Sequence, residues 1–275
     1  MQTTNTIQLA IRAKNELGLS YVLRKTYTKA LCAGTGAIYR HILRMECKNQ
    51  NPGPNPDSKP LQYAFALTAL SYSQSQDVLD VGAGLSAWPA LLGPCGYHVT
   101  AVDELTAYYG HKVWNRHFHV QRDDITDSKL TEHFGIITCL YTLQHILKHR
   151  QALQTMARLL KPSGILVATF PYNENKYVRN AYDLPGSGYG KDRPYICQIY
   201  NRATINDWML DTGLKLIDQR YYRLFSGEFW STGVHLRPPQ EVTVEQHHHM
   251  SGIVLQSTTT KPTKQAAGPS YTTSE

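Results

Sequence analysis

Asp77-Val78-Leu79-Asp80-Val81-Gly82-Ala83-Gly84-Leu85-Ser86 is the stretch on which the fold turns. Apolar residues run to Val81 and stop at two glycines one residue apart, so the segment reads as a buried strand feeding a tight turn into a helix. Ser86 stands where a cap belongs, Pro89 falls in the first helical turn, and Gly93-Pro94 marks a helix end. Downstream the alternation repeats. Strands are expected at 97–103, 117–125, 134–141 and 164–170, with helices at 104–115 and 150–161 between them. Upstream, 61–73 (LQYAFALTALSYS) reads as an apolar helix. Apolar strands alternating with helices imply an α/β fold: a doubly wound, Rossmann-like parallel sheet covered on both faces. Residues 203–213 form a further helix ending at Gly213, after which 215–225 and 231–237 follow without a comparable helix. Those two segments therefore pair antiparallel at one edge.

Around this core the composition shifts twice. Residues 1–60 form a helical extension carrying nine Lys/Arg against three acids, which ends at Asn51-Pro52-Gly53-Pro54-Asn55-Pro56. Residues 61–240 are the main domain. Residues 241–275, poor in large apolar side chains and rich in Thr, Ser, Gln and Pro, are expected to be a mostly disordered tail. The whole chain has 275 residues, is 41% hydrophobic and has a net charge of +7. No apolar run is long enough to span a membrane, and the first residues lack a secretory signal pattern. The five cysteines, at 32, 47, 95, 139 and 197, include no CxxC pair. That excludes a disulfide framework and a Cys-rich zinc site, and fits a reducing, cytoplasmic setting. The basic flank suits either solvated helix faces or a phosphate-rich partner such as nucleic acid.

In a doubly wound sheet the ligand sits at the carboxyl ends of the strands, near the switch in strand order. Gly82 and Gly84 let a backbone approach a ligand there, although an ordinary βα turn accounts for them equally well. Asp103 ends the second strand, where an acid accepts hydrogen bonds from ribose hydroxyls or caps the next helix. Asp124 and Ile125 follow the third strand, where a carboxylate and a neighbouring amide can read an adenine edge. In this order the three features describe an adenosine site. A dinucleotide would meet Trp88 and Pro89 beside its pyrophosphate, and Asp80 is an unsuitable neighbour for an anion. A carboxylate there suits a cationic ligand.

With these residues in place, the chain resembles the class I S-adenosylmethionine-dependent methyltransferases. The stretches VLDVGAGLSAWPALL, VTAVDE, RDDI, ITCLYTLQHI and MARLLKPSGILVATFPY carry the likeness, in family order, over about residues 60–240. The likeness is strongest to the small-molecule branch, through Leu143-Gln144-His145-Ile146 and Leu160-Lys161-Pro162-Ser163-Gly164. The resemblance implies a seven-stranded sheet with an antiparallel final strand and S-adenosyl-L-methionine as cofactor. It places Asp80, Gly82 and Gly84 in the cofactor loop and Asp103 on the ribose. It also places Asp124 and Ile125 at the adenine, and Leu140, within 139–142, along the methionine part. Tyr63 would close over the cofactor from the preceding helix. Leu85-Ser86 stands where many members have another glycine.

Methyl transfer is an in-line displacement dominated by positioning. A hydroxyl acceptor also benefits from a base, for which His145 is the candidate, although in similar sequences this His often packs or bonds to backbone instead. His145 and His149 lie four apart, but no third ligand follows, so no metal is expected. The absence of a [DN]PP[YF] motif argues against adenine amino methylation. Cys139 lacks the partner motif of RNA cytosine methyltransferases. Tyr172, Tyr177, Tyr182, Tyr189, Tyr195 and Tyr200, with Arg179, Lys191 and Arg193, lie where a substrate lid would be, or else pack upon themselves. The expected activity is methyl transfer to a small molecule or a glycan or natural-product precursor, at oxygen. An RNA-directed enzyme using the basic helices, a non-catalytic binding protein, and a nicotinamide-binding Rossmann protein are the alternatives.

Overall fold

The computed structural model describes residues 58–104, 115–188, 190 and 193–258. The basic N-terminal extension as far as residue 57, the helix expected at 104–115 (from 105 to 114), Tyr189, Lys191, Asp192 and residues 259–275 lie outside them. Helix α1 (Lys59–Ala69) precedes β1 (Asp77–Val81), α2 (Trp88–Leu92), β2 (His98–Asp103), β3 (Val120–Arg122) and β4 (Phe134–Leu140). Then come α3 (His149–Leu159), β5 (Leu160–Pro171), α4 (Arg202–Thr212), β6 (Lys215–Phe225), β7 (His235–Val242) and β8 (Met250–Gln256).

Among the described residues the strands form one sheet of eight in the order β3-β2-β1-β4-β5-β8-β6-β7. From β3 to β5 every pairing is parallel. Strand β1 pairs with β2 on one side and β4 on the other, so the chain changes direction across the sheet there and a crevice opens beyond Val81. The burial pattern follows from the pleat. Val78, Ile136, Ile165 and Val254 pack with Phe65, Ala66 and Leu70 of the α1 layer. Their neighbours Leu79, Ile137, Leu166 and Leu255 turn to the other face, with Leu153 and Met156 of α3 and Trp208 of α4. Each large aliphatic buried this way contributes about 2 kcal/mol. Helix α4 ends where expected, at Gly213 with φ +69°, its N–H bonded to the Met209 carbonyl.

Two expectations are corrected. The sheet has eight strands, because β7 is added at the edge by a hairpin with β6, as the antiparallel reading of those segments anticipated. The tail reading fails for Met250–Gln256: this segment is β8, antiparallel to both β5 and β6 and buried from Met250 to Leu255. Its apolar run is that of a strand buried on both faces, hidden in a window average by His247-His248-His249 before it and the Thr-rich run after it. Gly252 fits it to the layer above, since a Cβ there would lie 2.6 Å from the Phe65 ring.

Candidate functional site

The crevice between β1 and β4 is shaped by backbone first. Gly82 (φ +76°) and Gly84 (φ +49°) take left-handed conformations directly after β1. The N–H groups of Gly82 and Ala83 both donate to the Val102 carbonyl, at 2.8 and 3.2 Å, which ties the turn to β2. A Cβ on Gly82 would lie 2.1 Å from the Thr142 side chain, whose hydroxyl donates to the Gly82 carbonyl at 3.1 Å. Only glycine serves at this position. Asp103, at the end of β2, accepts the Gly84 N–H through one carboxylate oxygen at 2.9 Å. Asn115 fixes the far side, donating to the carbonyls of Gly84 (3.0 Å) and Ser86 (2.9 Å).

Asp80 is 3% exposed. It accepts the Thr138 hydroxyl proton at 2.7 Å, and Thr138 in turn accepts Trp88 Nε1–H at 3.2 Å. Burial pushes the Asp80 carboxyl up to about 7, against the pull of the Thr138 bond and with a small push from Asp103. No cation among the described residues pairs with it. A buried carboxyl poised near neutrality beside a glycine turn gains most from a cationic ligand, which would hold it ionised.

The other nominated residues divide. Tyr63 is buried against Trp88, ring centroids 5.1 Å apart, and its hydroxyl shares a 2.5 Å hydrogen bond with Ser86 Oγ. It braces the start of α2, and Ser86 Oγ also accepts the Trp88 N–H at 3.0 Å. Asp124 is exposed and caps the turn that follows, accepting the N–H and hydroxyl of Thr126 at 2.9 Å, while Ile125 is a core residue. Leu140 and Tyr141 close β4 beside the glycine turn. Tyr141 is itself left-handed (φ +56°), a conformation its N–H bond to the Thr169 carbonyl at 2.9 Å holds.

His145 follows in a short 3₁₀ turn. Its Nδ1 lies 2.6 Å from the Ile196 carbonyl, so it carries the proton and donates. Nε2 is then the acceptor for the Gln144 side-chain amide at 3.2 Å. Burial pushes the imidazole down to about 4, partly offset by the Ile196 bond. Both nitrogens are thus committed. His149 accepts Trp208 Nε1–H at 3.0 Å, a different partnership from that of His145. Burial also raises the Cys139 thiol, which marks a strand residue rather than a nucleophile.

Segment 172–200 folds back on itself through Val178 and Ile199, and Gln198 pins it to the turn after β4 by donating to the Gln144 and Ile146 carbonyls. Tyr172 and Tyr200 are fully buried, and Tyr177 donates to Gln198 at 2.8 Å. Tyr172 and Tyr200 thus anchor the segment to the rest of the protein, Tyr200 donating to the Leu143 carbonyl at 2.8 Å and Tyr172 lying 6.1 Å from the Tyr221 ring. The aromatic wall above Tyr141 is instead mixed: Trp230, from the loop between β6 and β7, lies 5.2 Å from its ring, and Tyr195 lies 4.9 Å from His145. Sequence reading missed Asn115 and Thr138. Thr138 had a signal, a lone polar residue in an apolar strand; Asn115 had none.

A family model described as a methyltransferase domain matches residues 44–219, more than half of the chain. A ubiquinone biosynthesis O-methyltransferase of Haemophilus ducreyi is 28% identical over 120 residues, 39% of this chain and 50% of that protein. The match therefore spans half the length of that relative. The Histophilus somni enzyme of the same name is 28% identical over 204 residues, covering 64% of this chain and 84% of that one. Among solved structures, the 1,6-didemethyltoxoflavin N1-methyltransferase of Burkholderia thailandensis, with S-adenosylhomocysteine bound, is 14% identical. It covers 86% of this chain and 87% of its own, at a TM-score of 0.47.

Proposed function

The chain belongs to the methyltransferase domain family, and we propose that it uses S-adenosyl-L-methionine to methylate a small molecule at a hydroxyl oxygen. The observation that carries this reading is Asp80: a buried carboxyl, raised to about 7, beside two left-handed glycines and a loop pinned by Asp103. Asp80 suits the cationic amino-acid part of the cofactor, Gly82 and Gly84 admit its backbone-close passage, and Asp103 suits the ribose. When bound, that cofactor supplies an activated methyl group on a positively charged sulfur. Asp124 and Ile125 are assigned to the adenine side and Leu140 to the methionine side, while Tyr63 supports the loop from behind. His145 is assigned a holding role, joining the turn after β4 to segment 172–200. An acceptor hydroxyl acidic enough to ionise without a basic imidazole therefore suits the site, and the oxygen assignment agrees with the names of the curated relatives.

The test is transfer of a labelled methyl group from S-adenosylmethionine to a panel of phenols, catechols, aliphatic alcohols and amines. Label on phenolic or catecholic oxygen supports the reading. Label on amine nitrogen alone contradicts the oxygen assignment.

A further inference from the structure

We infer that His249 is a positioning residue: its buried imidazole holds the loop 226–234, and with it the Trp230 ring, against Tyr141 at the mouth of the site. This rests on the proposed function only in naming that mouth as the acceptor side.

His249 precedes β8 and is fully buried. Its Nδ1 accepts two backbone N–H groups at the end of β6, those of Leu224 at 3.2 Å and Phe225 at 3.4 Å. In the neutral ring the proton must then be on Nε2, which donates to the Gly227 carbonyl at 2.8 Å. Burial, which drives the imidazole down to about 4, keeps the ring neutral. One rigid ring therefore joins the end of β6 to the first turn of the loop.

Fixing Gly227 fixes the rest, because the loop is closed on itself. The Gly227 N–H donates to the Thr232 carbonyl at 3.1 Å, and the Phe229 N–H donates to Thr232 Oγ1 at 2.9 Å. Ser231 shares a hydrogen bond of 2.9 Å with Ser187 of segment 172–200. Trp230 is 6% exposed, seated between Phe225 (5.0 Å) and Tyr141 (5.2 Å). The residue after Tyr141 is Thr142, which touches the Gly82 turn. A continuous chain of contacts thus runs from His249 to the cofactor loop.

His247 brings a second Nε2 to the same carbonyl, at 2.8 Å, and to within 3.1 Å of His249 Nε2. Three such atoms resemble one face of a metal's coordination shell. The tautomer argues otherwise: two amide protons occupy the Nδ1 lone pair of His249, so its Nε2 carries a proton and has no lone pair for a metal.

The test compares His249→Asn with His249→Gln. The Asn amide oxygen replaces Nδ1 as acceptor for Leu224 and Phe225 but leaves Gly227 out of reach. The Gln amide nitrogen replaces Nε2 as donor to Gly227. Hydrogen exchange of residues 226–234 is expected to speed up about fivefold in the Asn variant, the size of one lost hydrogen bond. Exchange in β6 and β8, and calorimetric binding of S-adenosylhomocysteine, should stay within about twofold, and the Gln variant should recover the loop's protection. Unchanged loop exchange in the Asn variant overturns the inference, as does acceleration spread evenly over β6 and β8. Should the Asn variant not fold, loss of loop protection in a folded Gln variant overturns it equally. Wild-type protein that fails to bind S-adenosylhomocysteine would contradict the proposed cofactor while leaving the exchange result standing.

Discussion

The two halves of the carboxyl edge of the sheet are made differently. On the half proposed to hold the cofactor, β1, β2 and the turn after β1 supply Asp80, Gly82, Gly84 and Asp103, with Gly84 bonded to Asp103 across 19 residues and the braces from Thr138 and Thr142 coming from far away, 58 and 60 residues on. On the acceptor half, the wall over Tyr141 is assembled by side chains from segments far apart: Gln198 reaches back 54 residues to Gln144, His249 reaches 22 to Gly227, and Ser187 meets Ser231 across 44. The first half is built on the left-handed backbone of its glycine turn and braced by side chains, whereas the second is joined by side-chain hydrogen bonds and ring packing. Substitutions in the first should therefore destroy cofactor binding outright, whereas those in the second should loosen the wall over Tyr141 and leave cofactor binding nearly unchanged.

The largest effect is expected at Gly82. Gly82→Val forces a β-branched residue into φ +76° and against Thr142 at 2.1 Å, so S-adenosylhomocysteine affinity should fall by two orders of magnitude or so in calorimetry. Gly252→Ala probes strand β8, which follows His249 and leads away from the other half. Its Cβ would meet the Phe65 ring at 2.6 Å, costing about 1–3 kcal/mol of stability in denaturant unfolding. Cofactor affinity of the folded protein should hardly change. If affinity collapses as well, the two halves are not separable.

Asp80→Asn sharpens the contrast because stability and binding should move in opposite directions. The Asp80 carboxyl titrates near 7 in the fold, above its value of roughly 4 in the unfolded chain. Its contribution to stability is therefore fully present below about pH 4 and is lost as pH rises through 7. Asparagine escapes that loss, so the variant without cofactor should gain on the order of 4 kcal/mol above pH 7, read from thermal melts at pH 5 and pH 8. Cofactor binding by the wild type should weaken by up to about tenfold per unit as pH falls below 7, since the carboxyl must shed its proton to meet a cation. The variant should bind weakly and without that dependence. Trp88→Phe should have the smallest effect: it removes the donor to Thr138 and should cost about 1 kcal/mol in stability, with a modest upward drift of the Asp80 titration.

The division also explains what was legible in the sequence. Strands β1, β2, β4 and β5 are mostly apolar, broken by single polar residues such as Asp80 and Thr138, and the glycine turn and Asp103 follow at short range, so the parallel core and the turn after β1 could be read directly. For His145 a bond to backbone was one of the two readings open from the sequence, but its partner was not legible, because the carbonyl that accepts its N–H, that of Ile196, lies 51 residues away. Strand β8 was lost for the opposite reason. Its apolar run was plain, but it stands between three histidines and a Thr-rich run, and only pairing with β5 and β6 gives those residues a place. The same three histidines looked like solvated tail, whereas one of them is wholly buried and organises a loop. Short-range backbone constraints announce themselves in sequence; side-chain bonds between distant segments do not.

The most direct test of the central claim is calorimetric titration of S-adenosylhomocysteine, with NAD⁺ as the control ligand, against wild type and Asp103→Ala. Binding of the sulfur ligand alone, weakened about tenfold or more by losing the Asp103 carboxylate (roughly 1.4 kcal/mol), is the predicted result. Absence of S-adenosylhomocysteine binding, or equal affinity in the two proteins, would contradict the account.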